Sequence, residues 1–142
     1  MKTLTLKIIT PEKVVFNEDV EQVTLPTENG EITVLPGHIP LVTILSKGEV
    51  LAKQNSIDIP LAAVGGFVKV SDNTVSIMAD FAEHINSLTD EAIEEARQKA
   101  VELKQKFENK EIVDIEHFET ELERSLTRVR LGEKWKSKRY RR

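Results

Sequence analysis

The chain has no cysteine, which excludes disulfides and thiolate chemistry together. A reducing compartment fits that absence. Histidine is scarce: His38, His84 and His117 stand far apart, and no metal-ligand spacing occurs among them. Apolar runs are short, and none approaches membrane-spanning length. The N-terminus alternates Thr, Leu and Lys, so no basic stretch followed by an apolar one marks a signal peptide. Catalytic motifs are missing as well. There is no GxxxxGK(S/T) phosphate loop and no GxSxG nucleophile elbow. The acidic residues are scattered rather than clustered at strand ends. No enzyme site assembles from these residues, which points to a protein that works by touching other proteins.

What is present is organised in two parts. A length of 142 residues suits one domain, or a compact domain with an appendage. The net charge of −4 conceals an asymmetry. Residues 1–84 carry a net charge of −5 and no arginine, and residues 85–123 carry −7. Residues 124–142 carry +8, with Glu133 as the one acidic side chain. A basic end on an acidic protein suggests either a partner for that end or a solvated helix tail.

The first part has period two. Leu4, Leu6 and Ile8 share one face, as do Val23 and Leu25, Ile32 and Val34, and Val75, Ile77 and Ala79. Such alternation is the mark of a strand with one buried face. Turn signals separate the runs: Thr10-Pro11, Asn29-Gly30, Pro36-Gly37, Lys47-Gly48 and Ser71-Asp72-Asn73. Short strands at this spacing predict an antiparallel β-sandwich over residues 1–86. Gly65-Gly66 reads as a bulge or a close backbone approach within the strand region. In "LPGHIPLVTIL", Pro36 fixes φ, Gly37 permits a positive φ and Pro40 holds Ile39 extended, so the turn is stiff. His38 has no carboxylate or second histidine near it in sequence, and reads as a surface residue of that turn.

The period then changes. No Gly or Pro occurs from Thr89 until Gly132. Ala92, Ile93, Ala96, Ala100, Leu103 and Phe107 recur at helical steps, with Thr89 as N-cap and Asp90 and Glu91 at the positive end of the helix dipole. Asp114 caps a second helix with the stripe Ile115, Phe118, Leu122, Leu126 and Val129. Residues 87–142 therefore predict an αα-hairpin, giving an α+β chain overall. Alanine faces contribute little burial at about 25 cal/mol per Å². The hairpin is expected to be thinly held and able to undock.

Two stretches match a known family. "GEITVLPGHIPLVTIL" resembles the G-E-x-x-x-x-P-G-H-A-P-L-x-T segment of epsilon subunits of F-type ATP synthases. "VGGFVKVSDNTVSIMADFAE" resembles that family's second signature, and a charged helical hairpin follows. Order and spacing agree, and the resemblance covers essentially the whole chain. It implies a sandwich of about ten strands followed by two helices. It further implies a non-catalytic central-stalk rotor subunit that binds gamma and rests on the c-subunit ring. Such a subunit couples ion-driven rotation to ATP synthesis, and its helices can extend into the alpha/beta catalytic head to inhibit ATP hydrolysis. By the same resemblance, Asn29, Gly30, Glu31 and His38 belong to the c-ring and gamma interface, with Glu31 at the polar loops of the ring. Arg124, Arg128, Arg130, Lys134 and Lys136 become the candidate inhibitory contacts on the catalytic head. Many members also bind ATP through an I/L-D-x-x-R-A motif. Here Thr89 and Ala92 replace its aspartate and arginine in direct alignment, and Arg97 is recovered only in a shifted register. Loss of the phosphate partner argues against ATP as a cofactor, and no other cofactor is implied. Membership would place the protein peripherally at the cytoplasmic face of a bacterial plasma membrane, or at the chloroplast thylakoid equivalent. The tail "GEKWKSKRYRR" supports a competing reading. Trp135 and Tyr140 interleaved with cations suggest a sandwich adaptor that binds nucleic acid or an anionic membrane.

Overall fold

The computed structural model describes residues 2–111 and 114–140, with only the backbone path given for Ser87 and residues 137–140. The connector residues Ile112 and Val113 and the terminal Arg141 and Arg142 lie outside the described residues. The chain forms two compact units, Met1–Asn86 and Ser87–Arg142.

The first unit contains ten strands: β1 (Leu4–Ile9), β2 (Val14–Val20), β3 (Gln22–Thr27), β4 (Gly30–Val34), β5 (Leu41–Ile44), β6 (Gly48–Gln54), β7 (Ile57–Val64), β8 (Phe67–Ser71), β9 (Thr74–Met78) and β10 (Phe81–His84). They make two five-stranded sheets, ordered β2-β1-β9-β8-β5 and β10-β7-β6-β3-β4. The alternating runs behave as their period requires. Leu4, Leu6, Ile8, Val23, Leu25, Val75 and Ile77 point inward into one core between the sheets. One pairing departs from the expected antiparallel pattern: β1 and β9 run parallel, with Leu6 opposite Val75 and Ile8 opposite Ile77. Parallel neighbours need a long connection, and here the whole chain from β2 to β8 supplies it.

Gly65 and Gly66 are not inside a strand. They carry the chain from β7 in one sheet to β8 in the other, with φ of 72° and 102°. A Cβ on Gly66 would collide with the Met78 carbonyl, so the close backbone approach is present at the crossover.

The second unit is a pair of helices, α1 (Asp90–Glu108) and α2 (Ile115–Tyr140). Thr89 caps α1, accepting the Ala92 N–H at 3.0 Å, and Asp114 caps α2, accepting the His117 N–H at 3.1 Å. The end of α1 is closed without glycine. Lys110 takes φ of 59°, and the Glu111 N–H donates to the Lys106 carbonyl at 3.0 Å, the Schellman arrangement.

The buried face of α1 is Ile93, Ala96 and Ala100, as its spacing predicts. The face of α2 is not the predicted stripe. Phe118 is buried, but Ile115 is 59% exposed and Leu126 42% exposed. The buried positions among the described residues are Phe118, Ser125, Thr127, Leu131, Gly132 and Trp135, of which Phe118, Ser125 and Gly132 recur every seven residues. Small residues replace large ones because the helices approach closely. A Cβ on Gly132 would lie 2.8 Å from Ile93 Cγ1.

Candidate functional site

The β3–β4 hairpin presents Glu28, Asn29, Gly30 and Glu31 at an exposed tip. Its turn is centred on Glu28-Asn29, one residue earlier than the Asn29-Gly30 signal suggested, because Gly30 already pairs with Thr27. The buried Thr27 hydroxyl fixes the tip: it donates to the Gly30 carbonyl at 2.6 Å and accepts the Asn29 N–H at 3.2 Å.

His38 is not part of that cluster. β4 separates them, with Glu31 at its start and the Pro36-Gly37-His38 turn beyond its end. The turn is rigid in the way its residues predict. Gly37 has φ of 83° and the His38 N–H donates to the Leu35 carbonyl at 3.2 Å, a type II pattern with Pro36 leading. The His38 Nδ1–H donates to the Ile39 carbonyl at 2.6 Å, leaving Nε2 for a partner. The segment thus ends in two stiff turns, at opposite ends of a strand.

A further feature had no signal in any one stretch of sequence. On the outward face of the first sheet, the strand registers align Ile44 with Phe67, Phe67 with Met78, Met78 with Ile9, and Ile9 with Val14. This makes a row of five apolar side chains crossing all five strands. Val14, Ile44, Phe67 and Met78 are between 40% and 54% exposed. The next outward row, Val42, Lys69, Ser76, Lys7 and Asn17, is mostly polar. A contiguous exposed apolar band beside a polar one marks a contact surface more strongly than scattered exposed residues do. The band ends next to the acidic tip, since the Glu28 N–H donates to the Ile44 carbonyl at 3.2 Å.

The cationic candidates lie on α2, and the folded hairpin engages several. Lys136 pairs with Asp90 of α1 at 3.0 Å, and Arg124 lies 3.9 Å from Glu121. Arg128 and Lys134 also have interaction partners, while Arg130 is exposed. Cross-helix pairs of both senses join the two helices: Lys99 with Glu121 at 2.6 Å, Arg97 with Glu133, and Asp90 with Lys136. The Lys99 ammonium, donating to the Glu121 carboxylate, holds that carboxyl below the ordinary Glu range, against the opposing effect of burial. Arg124 and His117 add smaller attractions. Phe107 and Phe118 stack across the far end, with ring centroids 5.2 Å apart.

Two further residues singled out in the sequence are engaged or buried. Arg97, the arginine of the shifted nucleotide motif, is engaged by Glu94 and Glu133. Trp135, half of the aromatic pair behind the polyanion reading, is only 5% exposed and has no free face on which to stack a base. The Tyr140 side chain, Arg141 and Arg142 lie outside the described residues. Among the described residues no group of His, Asp and Glu is arranged to hold a metal, and no helix is long and apolar enough to cross a membrane.

Fold and surface together define a β-sandwich module with an apolar band across one sheet, followed by a charged helical hairpin. The domain description "ATP synthase, Delta/Epsilon chain, beta-sandwich domain" matches residues 3–85. The ATP synthase epsilon chain of Desulforamulus reducens is 35% identical over 133 residues, covering 93% of this chain and 98% of that one. The epsilon chain of Bacillus subtilis is 40% identical over 102 residues, covering 72% and 77%. A chain in the cryo-EM structure of the Euglena gracilis mitochondrial ATP synthase (OSCP/F1/c-ring) matches with a TM-score of 0.59 at 22% identity, covering 95% of this chain and 80% of that one. That last likeness concerns the fold alone. The chain belongs to the epsilon-subunit family of F-type ATP synthases.

Proposed function

We propose that this chain is a non-catalytic central-stalk subunit that joins gamma to the c-subunit ring and carries a brake on ATP hydrolysis in its hairpin. The observation that carries the docking half is the apolar band ending at the Glu28–Glu31 tip. Apolar area supplies the affinity and the acidic tip gives orientation at the polar loops of the ring. The His38 turn, at the far end of β4, contributes a separate contact with gamma. Both turns are stiff, so little conformational entropy is lost on docking and torque is not dissipated in a soft joint.

The brake half is supported by the contrast within the hairpin. Its helices meet largely through alanine, serine and glycine, with Ile93 and the Phe107–Phe118 stack as larger contacts, and partly exposed ion pairs join them. Undocking would free Lys136 from Asp90 and carry Arg124, Arg128, Arg130 and Lys134 on α2 toward acidic segments of the catalytic head. The engagement of Arg97 by two carboxylates argues against ATP as a ligand of the folded hairpin. The protein sits peripherally on the membrane through the complex.

The test uses an epsilon-depleted catalytic complex from the same source that contains gamma. The full chain and a chain ending at Asn86 are added after binding of each is verified. Both should bind and only the full chain should suppress hydrolysis. Failure of the full chain to suppress would remove the brake and leave a coupling element. Reversing charge at Arg124 and Arg128 should weaken suppression; unchanged suppression would reject those contacts.

A further inference from the structure

Gly37 of the Pro36-Gly37-His38 turn is exposed, yet a residue 36 positions away holds it. Asn73 sits at the second corner of the β8–β9 hairpin, where Asp72 and Asn73 both have positive φ, 51° and 57°. Its Oδ1 accepts the Gly37 N–H at 3.0 Å. Its Nδ2 donates to the Thr3 carbonyl at 2.8 Å. Its own carbonyl accepts the Thr5 N–H at 3.1 Å. One side chain therefore joins the entrance to β1, the β8–β9 corner and the His38 turn. The Asn55-Ser56 corner between β6 and β7 has the same conformation but is held the other way round, its Ser56 N–H donating to the Glu21 carboxylate at 2.9 Å.

We propose that Asn73 is a positioning residue for docking: its side-chain oxygen, by holding the Gly37 N–H, sets the orientation in which His38 meets its partner. This rests on the reading of the His38 turn as a rotor contact. Gly37 carries the positive φ of the turn, so its amide is the point about which the turn would otherwise pivot. Fixing it removes conformers that would have to be frozen on binding.

Two substitutions separate positioning from folding. Asn73→Gly yields Asp-Gly at a corner with two positive φ values, the sequence such corners favour, and removes both side-chain bonds. Asn73→Asp tolerates the left-handed backbone and keeps the acceptor for Gly37, but cannot donate to Thr3. Full-length wild type, both variants and His38→Ala are titrated onto epsilon-depleted ATP synthase containing gamma and the c ring. Amide exchange at Gly37 and the unfolding midpoint are measured on the free proteins. Asn73→Gly should exchange at Gly37 at least tenfold faster and bind on the order of tenfold more weakly. Asn73→Asp should track wild type in both. If Asn73→Gly binds as wild type despite faster exchange, or if Asn73→Asp loses as much affinity as Asn73→Gly, the proposal is overturned. A His38→Ala chain that binds as tightly as wild type, with wild type bound, would overturn the rotor-contact reading of the turn instead. A global midpoint drop shared by both variants, with no change specific to Gly37, would make Asn73 a fold residue and also overturn the proposal.

Discussion

The sandwich packs Leu4, Leu6, Ile8, Leu25, Leu61 and Ile77 into one core with almost no exposure. The hairpin joins its helices through Ile93, Ala96, Ala100, Gly132 and the Phe107–Phe118 stack, with Lys99–Glu121, Arg97–Glu133 and Asp90–Lys136 at its sides. Large aliphatic side chains stabilise by roughly 1.5–3 kcal/mol each when buried, whereas exposed ion pairs give about 0–1 kcal/mol. The difference teaches a division of labour. The proposed function requires the sandwich to stay fixed and the hairpin to be the unit whose helices separate.

That contrast can be broken deliberately. The largest effect is expected for Leu6→Ala, which removes a fully buried side chain of β1. It should cost the sandwich about 3 kcal/mol, read from denaturant midpoints of the full chain. Phe67→Asp, on the apolar band, should leave that midpoint nearly unchanged and weaken binding to the gamma-containing complex on the order of a hundredfold, about 2.7 kcal/mol. Gly132→Ala presses a methyl against Ile93. It should loosen the hairpin by about 1–3 kcal/mol without touching the sandwich, visible as faster amide exchange confined to α1 and α2. If exchange accelerates in the strands too, the two units are not energetically separate.

Smaller effects sharpen the comparison. Glu121 has its folded-state pKa depressed, chiefly by Lys99. A depressed carboxylate contributes stability above its unfolded pKa and loses that contribution as pH falls through the folded value. The hairpin should therefore loosen first on acidification below the ordinary Glu range, and Glu121→Gln should flatten that response. Raising salt from low to molar concentration should weaken the hairpin by about 1 kcal/mol or less, since partly exposed charge pairs join its helices.

Strands and helices were legible in the sequence because period-two and helical runs report which face is buried. Leu4, Leu6 and Ile8 announce a strand whatever lies beside them. Alternation does not name the neighbour, so the parallel pairing of β1 with β9 could not be read. The apolar band was invisible for the same reason: Ile44, Phe67, Met78, Ile9 and Val14 come from five strands and meet only through register. The α2 face was misread because Ser125 and Gly132 are not apolar residues, and only proximity of α1 makes small size the selected property. Glu31 and His38 lie seven residues apart, but a strand keeps them at opposite ends. Asn73 gave no signal beyond its place in a turn, because its partners, Thr3 and Gly37, are remote in sequence.

The absence of cysteine permits a direct test of the division of labour. Cysteines introduced together at Ile93 and Gly132 would face each other across the hairpin, where a Cβ on Gly132 already lies 2.8 Å from Ile93 Cγ1, and they would be the only thiols in the chain. ATP hydrolysis by the epsilon-depleted complex is measured with this variant oxidised and then reduced. The account predicts that the oxidised, locked chain binds like the reduced one but no longer suppresses hydrolysis, and that reduction restores suppression. Equal suppression in the two redox states, with the disulfide verified, would contradict a brake that works by opening.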